Sequence, residues 1–289
     1  MGQMSPEQQE KWVSKAVNYE IFGCYAQTEL GHGSNVRGLE TTATFIPETD
    51  EFDVHSPTLT STKFWPGGLG KTANFAVVYA RLILPTSGDM GVHPFLVQLR
   101  SLEDHRPLKG VTAGDIGPHF GSNGNDNGYC RFTHVRIPRD QMLMRYSKVS
   151  REGVYSKPPH AKLSYGTMVI VRAGLVGSAY FALAKSATIA IRYSAVRRQG
   201  NPEGSGGDES KILDYRIQQY RLLPLLAAAY ALQFTGKYMY EVYEQLQKGL
   251  SSGDLSALPE VHATSSGLKS LTTRIASDGI EECRKACGG

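Results

Sequence analysis

The sequence predicts an α+β protein in which an antiparallel, β-barrel-like domain is followed by a bundle of long helices. Between about residues 23 and 138, short apolar runs alternate with Gly, Pro, Asn and Asp, and no long helical pattern separates them. Beyond this region the pattern changes to long helical segments rich in small residues. We therefore expect the end of a helical domain at 1–22, a β domain at 23–140 and a helical bundle at 141–289.

A short helix is predicted at the start of the chain. Ser5 is a typical N-cap residue, Pro6 suits the first helical position, and Gln8 completes a capping box with Ser5. The helix is expected to end near Ala16.

Five apolar segments predict strands. Two of them flank a turn at 48–50 and indicate a β-hairpin. The segments are TTATFIP (41–47), EFDVHS (51–56), FAVVYARLIL (75–84), GVHPFLVQL (91–99) and YCRFTHVRI (129–137). Their order favours an antiparallel sheet over a parallel nucleotide-binding sheet.

Three long helices are predicted in the last part of the chain. The first ends near Gln199 and is followed by a Gly-rich loop at 200–210. The second begins near Lys211 with a kink at Pro224, and the third begins near Pro259. An apolar stripe on the second helix is expected to face the bundle; it consists of Leu213, Ile217, Tyr220, Ala227, Ala231, Phe234 and Tyr238.

Composition excludes several classes of protein. Of 289 residues 40% are hydrophobic, which is enough for a sizeable core, and the net charge of +4 is too small to indicate a nucleic-acid partner. The most apolar helical region contains Arg172, Lys185 and Arg192, so we expect no membrane span. The first twenty residues contain no secretory signal.

Four scattered cysteines predict reduced thiols and no metal site; they are Cys24, Cys130, Cys283 and Cys287.

Two partial nucleotide-binding motifs fail on inspection. The glycines at Gly31 and Gly33 begin a GxGxxG pattern, but Val36 occupies its last position. The Gly70-Lys-Thr sequence resembles the end of a phosphate-binding loop, but Trp65 stands where its first glycine is required.

Three passages taken together are far more specific. They are CYAQTELGHGSN (24–35), KFWPGG (63–68) and RYSAVRRQ (192–199). The chain resembles the acyl-CoA oxidases of peroxisomes, and the resemblance extends over segments 111–117, 137–143, 165–168 and 278–284. The related acyl-CoA dehydrogenases share a plan of helical domain, β domain and helical bundle, which agrees with the pattern described above.

The resemblance implies an activity, a cofactor and partners. A family member removes two hydrogens from a fatty acyl-CoA, gives trans-2-enoyl-CoA, and passes the electrons through FAD to O2 to form hydrogen peroxide. This reaction is the first step of peroxisomal β-oxidation. A homodimer in the peroxisome is implied as well.

The resemblance also implies residues that contact the flavin ring. Thr28, with Gln27 beside it, would contact the ring edge, and Gly67 would let the backbone approach the ring. Taken alone, without the surrounding motif, Thr28 is better explained by a local hydrogen bond in a strand. Trp65 is either a cover for one ring face or a core residue.

Further positions resemble contacts to the rest of FAD. Arg197 matches an arginine that meets the pyrophosphate of the FAD held by the other subunit, where a planar cation suits phosphate oxygens. The alternative is that Arg197 belongs to a solvated basic face. Gln218 and Gln219 match contacts to the adenosine half, although helix periodicity alone makes them surface residues.

The thioester end of the acyl-CoA pocket is expected from four residues: Ser34, Asn35, Tyr165 and Arg172. Arg172 lies among apolar neighbours and needs a partner. A CoA phosphate and a structural salt bridge both satisfy this requirement.

The catalytic glutamate of the family matches no residue of this chain, so no catalytic residue is assigned. We therefore interpret the chain as the internal part of a longer oxidase and expect it to be inactive alone, since loss of a general base commonly costs ~10²–10⁴-fold in rate. Two alternatives stay open: an acyl-CoA dehydrogenase that transfers electrons to a partner flavoprotein, and a non-catalytic subunit that binds flavin or acyl-CoA.

Overall fold

The computed structural model describes residues 2–158, 166–201, 207–251 and 253–288. They form two compact units, Met1–Ser164 and Tyr165–Gly289, which we call the β unit and the helical unit. The predicted α+β class, with a β-rich part followed by helices, is confirmed.

The first helix, α1 (Pro6–Val17), begins as the sequence predicts. The Ser5 side chain accepts a hydrogen bond from the backbone of Gln8, and the Gln8 side chain accepts one from the backbone of Ser5. Trp12 on α1 is buried against Phe75 of the sheet, with ring centroids 5.4 Å apart. The helix therefore belongs to the β unit.

Eleven strands of the β unit form three sheets among the described residues. They are β1 (Gly23–Ala26), β2 (Thr42–Ile46), β3 (Glu51–His55), β4 (Lys63–Phe64), β5 (Phe75–Leu84), β6 (Gly88–Gln98), β7 (Val111–Asp115), β8 (Gly128–Phe132), β9 (Val135–Pro138), β10 (Lys148–Val149) and β11 (Tyr155–Ser156). The largest sheet has the order β1-β5-β2-β3-β9, with β6 paired to the other edge of β5.

The predicted strands are present, with two differences. The segment 129–137 contains two strands, β8 and β9, which lie in different sheets. Most pairs are antiparallel, including the predicted hairpin of β2 and β3, but β5 pairs in parallel with both β1 and β2. One long strand can do this because its first half pairs with β1 and its second half with β2.

The alternating side chains of these strands form one core. Phe52 packs between Phe45 and Phe95, with ring centroids 5.2 and 5.1 Å away. Residues 141–158 belong to the same unit, since Met142 and Val149 are buried in this core. The sequence had assigned that stretch to the helical bundle, whereas the compact units divide after Ser164.

The helical unit contains three long helices among its described residues: α2 (Gly166–Val196), α3 (Arg216–Ser251) and α4 (Leu258–Ala286). Helices α2 and α3 approach closely at Gly177 and Gly236, where a Cβ added to Gly236 would lie 3.0 Å from the Cα of Gly177. Residues 169–196 of α2 are long and apolar enough to cross a membrane by length and composition, a weak indication because core helices share these properties.

The predicted inward stripe of α3 is wrong. Ile217, Tyr220, Phe234 and Tyr238 are 56–78% exposed. The buried side of α3 carries Gln218, Leu222, Ala229, Leu232, Met239 and Leu246 instead. Both sides of this helix are apolar, and the side with smaller residues packs inward because it allows close approach to α2.

Candidate functional sites

The first candidate site lies where residues 28–30 pair with residues 62–64. The backbone N–H of Phe64 donates to the carbonyl of Thr28 at 3.0 Å, and that of Leu30 donates to the carbonyl of Thr62 at 2.8 Å. This pairing brings Gln27 and Thr28 beside the chain that leads into Trp65 and Gly67. We call these four residues the β-unit site.

Gln27 and Thr28 differ in whether their side chains already form hydrogen bonds within the protein. The Gln27 side chain is buried and accepts a hydrogen bond from the Tyr25 hydroxyl. Thr28 is half-buried, and its hydroxyl makes no hydrogen bond within the described parts of the chain. The Thr28 hydroxyl is thus the group of this pair that can contact a ligand.

Trp65 is 49% exposed, so it is not a core residue. Its φ of 86° lies in the left-handed region, which costs an L-residue about 1–2 kcal/mol. The backbone N–H of Trp65 donates to Gly128 at 3.0 Å, and the indole ring meets His119 edge to face with centroids 5.5 Å apart. A strained backbone held in this way presents a large aromatic surface.

Gly67 lies in a loop that is fixed from both sides. A Cβ at Gly67 would come no closer than 3.4 Å to the carbonyl oxygen of Asn125, so the fold itself does not require a glycine there. Below the loop, the buried Arg100 guanidinium donates to the carbonyls of Leu69, Gly70 and Ala73. This loop therefore has little freedom to move, and a Cβ at Gly67 would be in ordinary van der Waals contact with Asn125 and Asn127.

A buried ion pair that the sequence reasoning missed adjoins the β-unit site. The Lys63 ammonium lies 2.9 Å from the Glu29 carboxylate, and both side chains are fully buried. Lys63 also donates to the carbonyls of Gln27 at 3.2 Å and Tyr79 at 2.6 Å. Burial lowers the pKa of Lys63 to about 8, and the charge of Glu29 opposes this shift.

Ser34 and Asn35 are exposed on the loop between Glu29 and Glu40. The Glu29 carboxylate accepts hydrogen bonds from the backbone N–H groups of Glu40, at 2.7 Å, and Thr41, at 3.0 Å. Both ends of the loop are thereby held together, whereas its tip is free to meet solvent or a ligand.

One carboxylate-rich cluster at this loop has the spacing of a metal site. Glu29, His32 and Glu40 each bring a ligand atom within 4.8 Å of the others. Both oxygens of Glu29 already accept hydrogen bonds from the protein. We therefore assign no cation to it.

The four cysteines are free thiols.

The second candidate site is a cavity of about 570 Å³ in the helical unit. Its lining includes Tyr193, Arg197, Tyr215, Gln218 and Lys285. Arg197 is exposed, and its guanidinium forms no ion pair or side-chain hydrogen bond with the residues that the structure describes. A cation without a counter-charge at a cavity is suited to an anionic ligand.

The side chains of Gln218 and Gln219 already donate hydrogen bonds within the helical unit. The amide nitrogen of Gln218 donates to the Ser194 hydroxyl at 2.9 Å and to the Ala286 carbonyl at 2.7 Å, in the interior of the bundle. The Gln219 side chain is exposed and donates to the Leu213 carbonyl at 3.0 Å. Only Gln218 lines the cavity, so the structure brings it together with Arg197 and leaves Gln219 outside.

Arg172 is half-buried and donates to Nδ1 of His262 at 3.0 Å. Its partner is thus an imidazole, and no salt bridge to a carboxylate is formed within the described residues. Tyr165 lies outside the described residues.

Comparison with known proteins covers the whole chain. The model of the acyl-CoA oxidase C-alpha1 domain matches residues 165–289. Peroxisomal acyl-coenzyme A oxidase 1 of Arabidopsis thaliana is 58% identical over 100% of this chain and 44% of its own length.

Two solved structures have the same fold. Arabidopsis thaliana acyl-CoA oxidase 1 superposes with a TM-score of 0.95 at 57% identity, over 100% of this chain and 44% of the other. Acyl-CoA oxidase-2 of Caenorhabditis elegans, bound with FAD, ascaroside-CoA and ATP, gives 0.96 at 51% identity, over 100% and 43%.

A β-rich unit followed by long helices is matched from end to end in these structures, so this chain shares the architecture of the corresponding part of solved acyl-CoA oxidases. More particularly, residues 165–289 match the acyl-CoA oxidase C-alpha1 domain, and the whole chain is similar to peroxisomal acyl-CoA oxidases. It spans about 44% of the length of the curated relatives that it matches.

Proposed function

We propose that the chain forms the FAD- and acyl-CoA-binding middle part of a peroxisomal acyl-CoA oxidase. The proposed reaction converts a fatty acyl-CoA and O2 into a trans-2-enoyl-CoA and hydrogen peroxide. The observation that carries this proposal is the match of the complete chain, at 51% identity, to an acyl-CoA oxidase bound with FAD and an acyl-CoA.

Three features of the described residues suit FAD. The free hydroxyl of Thr28 can hydrogen-bond to the polar edge of a flavin ring. The half-exposed indole of Trp65 offers an apolar face for the ring. The guanidinium of Arg197 provides a planar cation for phosphate oxygens.

The residues of this chain bind and orient in the proposed reaction. FAD, when bound, accepts the hydride from the substrate. Thr28 and Trp65 would hold the flavin ring, and Ser34 and Asn35 on the exposed loop tip would contact the thioester end of the substrate. Removal of the α-proton is assigned to none of the carboxylates of this chain.

Replacing Arg197 with alanine is expected to weaken FAD binding by about tenfold or more, because a charge-assisted contact to a phosphate is worth roughly 1.5–3 kcal/mol. Lys211→Ala is the matched control, since Lys211 is also an exposed cation but does not line the cavity. Titration with FAD, followed by flavin fluorescence, measures both variants. Equal FAD affinities in the two variants would refute the role of Arg197.

The reaction with oxygen separates the oxidase from a dehydrogenase. The flavin is reduced anaerobically with acyl-CoA, or with dithionite if the isolated chain is inactive, and is then mixed with air-saturated buffer in a stopped-flow instrument. Rapid reoxidation with formation of hydrogen peroxide is expected. Slow reoxidation would favour the dehydrogenase.

We also propose that the chain pairs with a second copy of itself. The exposed apolar stripe of α3, formed by Ile217, Tyr220, Phe234 and Tyr238, supports this, because contiguous apolar patches commonly mark interfaces.

A charge in the middle of this stripe is expected to weaken self-association. Phe234→Glu should shift the molar mass measured by light scattering towards that of one chain, whereas Glu244→Lys, at an exposed position on another side of α3, should not. A dimer that persists in Phe234→Glu at the same concentration would exclude the stripe as the interface.

A further inference from the structure

The buried pair of Glu29 and Lys63 connects four separate segments of the β unit. Through Lys63 it holds the carbonyls of Gln27 and Tyr79, and through Glu29 it holds the N–H groups of Glu40 and Thr41. The Thr41 hydroxyl donates to the same carboxylate at 2.6 Å. Every contact is made inside the protein, where neither charge reaches water.

Burying such a pair costs desolvation free energy. We therefore attribute its role to fixing a geometry more than to adding stability. Removing two charges from water costs several kcal/mol per ion, and hydrophobic residues of similar volume are commonly as stable. The segments that this pair fixes are the ones that carry the proposed contacts. Gln27 and Glu29 flank Thr28, while Glu29 and Glu40 close the base of the loop that bears Ser34 and Asn35.

We propose that the Glu29–Lys63 pair is a positioning device that holds the Thr28 backbone and the base of the 30–39 loop in one fixed arrangement for flavin and substrate. Neither residue contacts the ligand; each acts through the backbone groups that it holds. The inference rests on the proposed function, because it assigns the pair to the flavin site of that function.

The test compares Lys63→Met and Glu29→Gln with Phe45→Leu, a substitution in the core of the same unit. Phe45 is buried and does not belong to the network. Three measurements are made for each, all at the same interval below its own melting temperature: amide hydrogen exchange, the Kd for FAD, and the visible spectrum of bound flavin.

In Lys63→Met and Glu29→Gln we expect the amides of Glu40 and Thr41 to exchange at least tenfold faster than in the wild type. The Kd for FAD should rise at least tenfold in Lys63→Met, with a flavin spectrum closer to that of free FAD. In Phe45→Leu the two amides and the spectrum should be unchanged and the Kd should stay within twofold.

Wild-type exchange at both amides in the two network variants would overturn the inference. So would an FAD affinity and spectrum of Lys63→Met equal to those of Phe45→Leu. A wild-type chain that binds no FAD would overturn the proposed function instead. In that case the exchange at Glu40 and Thr41 would still decide, by itself, whether the pair holds the loop.

Discussion

Glu29→Ala is expected to destabilise the β unit by about 3–5 kcal/mol, because it leaves the Lys63 ammonium buried without its counter-charge. It also leaves the N–H groups of Glu40 and Thr41 without their acceptor. Urea unfolding followed by circular dichroism measures the loss.

The stability deficit of Glu29→Ala should depend on pH. The folded-state pKa of Lys63 is lowered to about 8 in the wild type and is expected to fall further without Glu29. Folded protein then releases a proton that the unfolded chain keeps, so the variant gains stability as pH rises towards 8 and its deficit shrinks.

The double variant Glu29→Leu with Lys63→Met provides the control. It should recover much of the stability lost in Glu29→Ala, because two apolar side chains replace the pair. A double variant less stable than Glu29→Ala would show that the loss does not come from an unpaired charge.

Gly128→Ala is expected to cost about 3 kcal/mol, at the upper end of the usual range for overpacking. A Cβ at Gly128 would lie 2.2 Å from the backbone nitrogen of Gly70 and 2.7 Å from the carbonyl carbon of Leu69. These are backbone atoms, which cannot rotate away as a side chain can. The loop that carries Gly67 would have to shift, and a melting temperature lower by roughly 6–12 °C should result.

Gly124→Ala is the matched control for this substitution. Its Cβ would meet nothing within 4 Å, and its backbone conformation suits alanine. We expect it to change the melting temperature little. A similar effect of the two substitutions would contradict the close contact between β8 and the Gly70 loop.

Local patterns predicted the regular elements well. The capping box of α1 and the alternating strands β2, β3 and β5 depend on neighbours in the sequence, which are visible without a structure. The stripe of α3 failed because two sides of that helix are apolar. Close packing at Gly177 and Gly236 decided between them, and this contact joins residues far apart in the chain.

The candidate site was predictable only in part. The motifs predict Thr28 and Arg197, and the structure leaves the side chains of both free to bind. The buried charges of Lys63 and Arg100 were missed, since lysine and arginine are almost never fully buried unless they are paired. The one signal was that Lys63 and Glu29 both lie in the quoted passages 63–68 and 24–35, but their pairing depends on strand register.

The two tryptophans of this chain, Trp12 and Trp65, lie in different environments, so the fluorescence of each reports on a different event. Trp12 is enclosed beside Phe75 and emits from an apolar surrounding, so its fluorescence follows the unfolding of the β unit. Trp65 emits from a partly aqueous surrounding, and any molecule that covers it will alter its intensity. A chain with Trp12→Phe would therefore keep one tryptophan, whose emission reports on any molecule that binds beside it.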